Sequence, residues 1–99
     1  MRVALVDNED GRLVLEEDRG RIYFHVKFRQ WGIAKARAYA RYFEWVLSVL
    51  AAEGCREVYA YPYEHDQRAQ KMIAHFGFQR VGASEGFLLM RRQIGGDHA

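Results

Sequence analysis

The sequence predicts an α/β (α+β) domain in which a mixed sheet packs against two helices. Three features predict this class: alternating apolar residues in the first third, a long segment of helical period, and short strands around a second helix. The expected order is β-β-β-α-β-α-β-β. We assign residues 1–94 to a single domain and residues 95–99 to a flexible C-terminal tail.

The first third of the chain is predicted to be a three-stranded antiparallel meander. Arg2 to Val6, Leu13 to Leu15 and Arg21 to Phe28 are the expected strands, separated by the polar, Gly-containing turns 7–11 and 16–20. In the third strand Ile22, Phe24 and Val26 alternate with Tyr23, His25 and Lys27, so the two sets should face opposite sides of the sheet.

The long helix is predicted over Ile33 to Glu53, with Gly54 in the position that favours glycine after a helix end. Its expected buried stripe begins at Ile33 and continues through Phe43 to Leu50. After this helix we predict a strand over Glu57 to Tyr61 and a second helix, for which Asp66 is the N-cap candidate. Two final strands, Phe78 to Val81 and Gly86 to Arg91, are expected to be joined by a Gly82-Ala83-Ser84-Glu85 turn.

Composition excludes several classes of protein. The 99 residues carry a net charge of +2, which is too balanced to indicate a nucleic-acid-binding protein. The single Cys55 rules out an internal disulfide framework and a Cys-rich zinc site. The chain contains no run of about 18 apolar residues, the length a membrane helix needs. We therefore expect a cytoplasmic protein that does not bind membranes.

The turn from Arg29 to Ala34, between the third strand and the long helix, is the strongest candidate for ligand binding. A helix N-terminus has backbone N–H groups without helical partners and lies at the positive end of the helix dipole. Gly32 would let an anion approach this backbone, and Arg29 and Lys35 flank it with positive charge. The pattern favours a phosphate or pyrophosphate site. The alternative is a plain helix-starting turn with solvated basic residues.

The chain resembles the GNAT family of N-acetyltransferases in three segments. Arg29-Gln30-Trp31-Gly32-Ile33-Ala34 matches the family's Arg/Gln-x-x-Gly-x-Gly/Ala loop, Asp66 to Phe78 is similar to its Asn-x-x-Ala…Lys-x-Gly-Phe segment, and 82–91 looks like its closing strand. The resemblance implies acetyl-CoA as co-substrate and an amine acceptor of unknown identity. It also implies the cofactor-binding residues, namely Val26, Arg29, Gln30, Trp31, Gly32, Ile33, Ala34 and Asp66.

Departures from the family pattern leave a second interpretation open. The family's first strand and early helices are absent, and its proton-donating tyrosine is replaced by Ile73, which cannot donate a proton. The sequence is also similar to small acetyltransferase-like proteins of short-tailed bacteriophages, some of which are virion components. The alternative to an enzyme is therefore a non-catalytic structural or interaction protein, for example a component of a phage virion. The absent helices would normally cover one face of the sheet. Because that face needs another cover, we expect a homo-oligomer or docking on a larger assembly.

Two residues are the predicted catalytic groups. His25 lies on the strand leading to the Gly turn, and the ordinary pKa of histidine suits a base that takes a proton from an incoming ammonium. Tyr59, Tyr61 and Tyr63 form a cluster near the end of the following strand. Tyr61 is the candidate acid in place of the family's tyrosine, which is Ile73 here. Each has a structural alternative, as a residue that packs on the sheet face. We predict no metal site, since Asp66 is better explained as a helix cap and His65 and His75 lack helical ligand spacing.

Overall fold

The structure is a computed structural model, and it describes residues 1–29 and 32–95. Six strands and two helices follow one another in the order predicted from the sequence, which confirms the fold class. Their bounds are β1 (Arg2–Asn8), β2 (Gly11–Asp18), β3 (Arg21–Phe28), α1 (Ile33–Ala52), β4 (Glu57–Ala60), α2 (Gln67–His75), β5 (Gln79–Ser84) and β6 (Phe87–Gln93).

The strands form one mixed sheet in the order β1-β2-β3-β4-β6-β5. Neighbouring strands are antiparallel except β3 and β4, which are parallel and are joined by α1. A crossover between parallel strands requires a connection of this length, so α1 has to cross a face of the sheet.

The hairpin turns are shorter than the sequence indicated. β2 and β3 are joined at Arg19 and Gly20, with φ of 54° and 83°, and β5 and β6 at Glu85 and Gly86, with φ of 51° and 85°. Positive φ at both central residues produces the twist that suits a two-residue hairpin. The predicted Gly82-Ala83-Ser84-Glu85 turn is therefore wrong, because Gly82 to Ser84 pair with β6 as part of β5.

Both helices cover the same face of the sheet. Phe43 of α1 is 2% exposed. Its ring centroid lies 4.8 Å from that of Phe24 on β3, 5.2 Å from that of Phe76 and 5.9 Å from that of Phe78. The buried cluster around it joins α1 and the end of α2 to the inward residues of β2, β3, β4 and β6.

The stripe predicted for α1 is correct in its centre and wrong at its start. Tyr39, Phe43, Val46 and Leu47 are buried, whereas Ile33 is 71% exposed. The first turn of α1 extends past the edge of the apolar cluster. Ile33 therefore follows the helical repeat of apolar residues but has no sheet residue to pack against. The C-terminal glycine cap is confirmed, since Gly54 has a φ of 96° and Cys55 N–H donates to the Leu50 carbonyl.

The opposite face of the sheet carries aromatic residues that belong to a separate group. Tyr23 and Tyr59 are buried but lie outside the cluster beneath the helices, with ring centroids 5.7 Å apart. In the described part of the chain neither helix lies on this side of the sheet. Among the described residues, this face of the sheet therefore has no helical cover. Neither of these helices is long and apolar enough to cross a membrane.

Candidate functional site

The sheet opens where its two parallel strands end. β3 and β4 pair in parallel at Tyr23 with Tyr59 and at Phe24 with Ala60. Beyond these pairs β3 continues along β2 to Phe28, while the chain after β4 follows β6, where Leu88 N–H donates to the Pro62 carbonyl at 2.9 Å. We call this divergence the β3–β4 fork. Ligands commonly bind at the carboxyl ends of parallel strands where neighbouring connections separate.

The N-terminus of α1 follows the end of β3 along the chain, after the loop that begins at Arg29. Gly32 is its N-cap residue, with an extended backbone (φ −179°, ψ 152°) and no side-chain hydrogen bond to cap the helix. A methyl group at Gly32 would have no atom of the described residues within 4 Å, its chain neighbours apart, and the first turn contains no acidic residue. Open space and the positive end of the helix dipole together suit an anion. Of the predicted loop, Gln30 and Trp31 lie outside the described residues.

The two flanking cations are held by acidic residues of the β1–β2 turn. Arg29 Nη1 lies 3.3 Å from Asp7 Oδ1, and Lys35 Nζ lies 2.5 Å from Asp10 Oδ1. The Arg29 backbone N–H also donates to the Asp10 carbonyl at 2.9 Å. The turn therefore supports the start of the loop, and it offsets part of the positive charge that the sequence suggested would be offered to a phosphate.

His25 forms a close pair with a carboxylate on the neighbouring strand. Its Nε2 lies 2.7 Å from Glu16 Oε1, and the side chains are 35% and 32% exposed. The hydrogen bond with His25 lowers the pKa of Glu16, and the nearby Arg2 adds to this effect. If Glu16 accepts the Nε2 hydrogen, Nδ1 of His25 retains the lone pair that a base needs.

Tyr61 and His25 occupy corresponding positions at the fork. Each is the first residue after the last parallel pair, Phe24 with Ala60. On the face away from the helices, His25 lies two residues after Tyr23, and Tyr61 lies two residues after Tyr59. The Tyr61 ring stacks on Tyr23 at 5.1 Å and remains 40% exposed. A hydrogen bond with Tyr23, followed by burial, raises the pKa of Tyr61, so the phenol keeps its proton at neutral pH.

The other tyrosines of this segment have structural partners. Tyr59 is 5% exposed, and its hydroxyl donates to Glu57 at 2.6 Å, an interaction that raises the pKa of Tyr59. The Arg21 guanidinium lies 5.0 Å from the centre of the Tyr59 ring. Tyr63 stacks on Phe87 at 4.7 Å, beyond the fork. Tyr61 is thus the tyrosine that best combines exposure with a position at the fork.

The remaining predicted residues are placed as follows. Val26 packs partly buried against the core beneath α1, and Ala34 is exposed in the first turn of the helix. Asp66 caps α2, because its Oδ1 accepts from the Ala69 N–H at 3.0 Å. Ile73 is 7% exposed in the core and acts there as an apolar residue. Within residues 1–29 and 32–95, the structure brings together no group of three His, Cys, Asp or Glu side chains that could hold a metal.

Sequence reasoning missed two contributors to the site, Glu16 and the acidic turn with Asp7 and Asp10. The antiparallel register places Glu16 opposite Tyr23, diagonal to His25, and brings the β1–β2 turn beside Arg29. Glu16 was predicted to lie in the turn 16–20, whereas β2 extends to Asp18, and the partner of Glu16 depends on the register between the strands and not on either strand alone.

Comparison with known proteins places this fold. No family model and no curated protein matches the sequence. A solved domain from Methanocaldococcus jannaschii is similar, with a TM-score of 0.68, 15% identity, and coverage of 94% of this chain and 67% of that one. A GNAT-family acetyltransferase from Listeria monocytogenes gives 0.65 at 15% identity, covering 86% of this chain and 58% of that chain. The ribosomal-protein-S5-alanine acetyltransferase from Vibrio fischeri gives 0.64 at 16% identity, with 88% and 55% covered.

The architecture is therefore similar to that of GNAT acetyltransferases. The chain spans little more than half the length of the Listeria and Vibrio proteins it resembles, 58% and 55%. At this identity the likeness concerns the fold, so the site residues must be argued from their own geometry.

Proposed function

We propose that the chain is an acetyl-CoA-dependent N-acetyltransferase that acts on an amine acceptor. The observation that carries the proposal is the β3–β4 fork, which joins the uncapped N-terminus of α1 to His25 and Tyr61 within a GNAT-like fold. The segment Arg29 to Ala34 would hold the pyrophosphate through backbone amides, and Val26 would lie beside the pantetheine arm. Asp66 would act through its cap, by fixing the start of α2.

The proposed chemistry uses one base and one acid. His25, oriented by Glu16, takes a proton from the incoming ammonium at Nδ1, which leaves a neutral amine to attack the thioester carbonyl carbon. A C–N bond forms, the C–S bond breaks, and the nitrogen passes its second proton to solvent as the amide is formed. Tyr61 donates its phenolic proton to the leaving sulfur. Exchange with solvent then restores His25 and Tyr61.

A calorimetric titration with acetyl-CoA tests the binding step. We expect micromolar binding that is lost in Gly32→Glu, since a carboxylate would occupy the open space at the helix N-terminus. Ala83→Glu, an exposed substitution on β5, is the matched control and should bind like the wild type. No heat up to millimolar acetyl-CoA would contradict the proposal.

Release of free thiol with a panel of amines tests the chemical step. His25→Gln and Tyr61→Phe should each lower kcat by about 100-fold without a comparable change in acetyl-CoA affinity. His75→Gln, an exposed histidine on α2, should leave the rate unchanged. Full activity in both site variants would exclude the assigned roles while leaving the binding result intact.

A second candidate is a non-catalytic interaction protein, for instance a component of a phage virion. It is favoured by the ion pairs that already occupy Arg29 and Lys35, and by the burial of Ile73 where the family has a proton donor. This candidate predicts a folded protein that shows neither heat with acetyl-CoA nor thiol release with any amine.

A further inference from the structure

Helix α1 carries a second apolar stripe on the side that does not face the sheet. Ala38, Tyr42, Trp45, Val49 and Ala52 follow one another at spacings of four and three residues, and we call them the outer seam. Trp45 is 60% exposed and Val49 44% exposed. Tyr42 and Trp45 stack with ring centroids 5.9 Å apart, forming a flat aromatic surface in the middle of the helix.

Most of the outer seam lies outside the core of the domain, and Tyr42 is its one member that packs, partly buried, against the core cluster. The residues that α1 buries against the sheet are Tyr39, Phe43, Val46 and Leu47, which lie on a different side of the helix. Apolar residues that alternate three and four apart are the pattern with which one helix packs along another. A large exposed tryptophan at the centre of such a stripe is typical of a contact anchor.

Charge along α1 indicates the direction of a partner helix. Arg37 and Arg41 lie in the first half and the C-cap residue Glu53 lies at the end, whereas Lys35 and Glu44 already pair within the chain, with Asp10 and Arg92. Two copies of α1 that run antiparallel would bring the arginine-bearing half of each towards Glu53 of the other. Their helix dipoles would also be opposed, which is favourable.

Side-chain size along the outer seam favours the same arrangement. We propose that two copies of this chain dimerise through the outer seam, with the α1 helices antiparallel and the two-fold axis between Tyr42 and Trp45. Trp45 of each copy then lies against Tyr42 of the other, and Val49 against the small Ala38. Lys35, which pairs with Asp10 of its own chain, then lies level with Ala52 of the second copy.

Parallel pairing is worse at each of these positions. It would place Trp45 on its own counterpart and Ala38 on Ala38, which leaves an over-filled layer next to an under-filled one. It would also bring the two Lys35 ammonium groups together. Since α1 has 20 residues and is about 30 Å long, one helix pair buries less than the roughly 800 Å² per partner of a standard interface. We therefore expect a reversible dimer with a Kd of about 1–100 µM.

Sedimentation over a range of concentrations tests the dimer. The wild type should pass from monomer to dimer as concentration rises, and Trp45→Glu should weaken the association by about 100-fold or more. Lys71→Glu, a charge reversal on the exposed side of α2, is the control and should dimerise like the wild type. Because Trp45 is largely exposed, its variant should keep the circular dichroism of the native fold. A wild type that stays monomeric, or a dimer that Trp45→Glu does not weaken, would overturn the proposal.

Disulfide trapping in a Cys55→Ala background tests the direction of the helices. Ala38 and Val49 are 11 residues apart, about 16 Å along a helix, whereas a disulfide needs Cα atoms within about 7 Å. An equimolar mixture of Ala38→Cys and Val49→Cys proteins should therefore form a mixed disulfide dimer, and neither protein should do so alone. Rapid cross-linking of Ala38→Cys with itself would overturn the antiparallel arrangement. Neither experiment involves acetyl-CoA, so both are independent of the proposed enzymatic activity.

Discussion

The Nε2 atom of His25 lies 2.7 Å from Oε1 of Glu16, across two adjacent antiparallel strands and on the face of the sheet that the helices leave uncovered. This contact joins the first residue of β3 beyond its parallel pairs with β4 to a carboxylate that lies nine positions earlier in the chain. It is the feature that most directly links the sheet register to the proposed acid–base chemistry.

Glu16→Gln should change how the stability of the protein depends on pH. The pKa of Glu16 is lowered from 4.5 in the folded protein, mainly by its hydrogen bond with His25, so its ionised form stabilises the fold. That contribution is present above the unfolded pKa and is lost as pH falls through the lower folded pKa. Thermal unfolding should show a lower Tm for Glu16→Gln than for the wild type at pH 6, and the difference should shrink below about pH 4.

Glu17→Gln, on the adjacent and opposite-facing position of β2, is the matched control for that experiment. Its Tm should follow the wild type more closely throughout the range. A Tm difference for Glu16→Gln that is constant from pH 6 to pH 3 would mean that the carboxylate charge is not the cause.

Asp10→Asn should increase the affinity for acetyl-CoA if the proposed phosphate site is correct. Lys35 Nζ lies 2.5 Å from Asp10, and neutralising this carboxylate removes a negative charge next to the helix N-terminus. We expect a Kd about three- to ten-fold lower at low ionic strength, with the gain reduced at high salt because the effect is Coulombic. Calorimetry at two salt concentrations measures it.

Glu64→Gln, remote from α1 in sequence and on the β4–α2 connection, controls for the change in net charge. A weaker affinity in Asp10→Asn would instead indicate that the ion pair between Asp10 and Lys35 organises the start of α1.

Phe43→Ala should destabilise the protein strongly. Phe43 is 2% exposed and contacts aromatic rings from β3 and from the segment that follows α2. Truncation leaves a cavity at the centre of the single face that both helices cover, so we expect a loss of about 3–5 kcal/mol in the free energy of unfolding. Urea denaturation followed by circular dichroism measures it. Phe43→Leu, which keeps most of the volume, should lose clearly less.

Arg92→Met should weaken the attachment of both helices to β6. The Arg92 guanidinium forms two hydrogen bonds with Glu44 of α1, at 2.5 and 2.9 Å, and a third with the Phe76 carbonyl at the end of α2, at 2.8 Å. Methionine keeps the apolar stem but loses these donors. Since the Arg92 side chain is 24% exposed and that of Glu44 56%, solvent screens much of the pair, and we expect a loss of about 1–2 kcal/mol.

Glu44→Gln separates the two parts of this contact, because it removes the charge pair and leaves the bond to Phe76. Its loss in the urea experiment should be less than half that of Arg92→Met. Equal losses would show that the carbonyl bond at the end of α2 contributes little.

The sequence by itself determined the elements of this protein and their order. Alternation along β3, the helical period through Phe43 and the glycine at position 54 are local patterns, and local sterics and solvent exposure are sufficient to read them. Turn lengths were less well predicted, since Gly82 to Ser84 resemble a turn in composition but pair with β6. The exposed Ile33 was missed because a helical period does not indicate where the neighbouring sheet ends.

Tertiary structure decided which residues meet. The pairing of His25 with Glu16, the attachment of Arg29 and Lys35 to the acidic turn, and the placing of Tyr61 beside the fork depend on strand register and on the point where β3 and β4 diverge. Register is a relation between segments that are distant in sequence, set by the packing of all six strands against α1 and α2, and no single segment carries it.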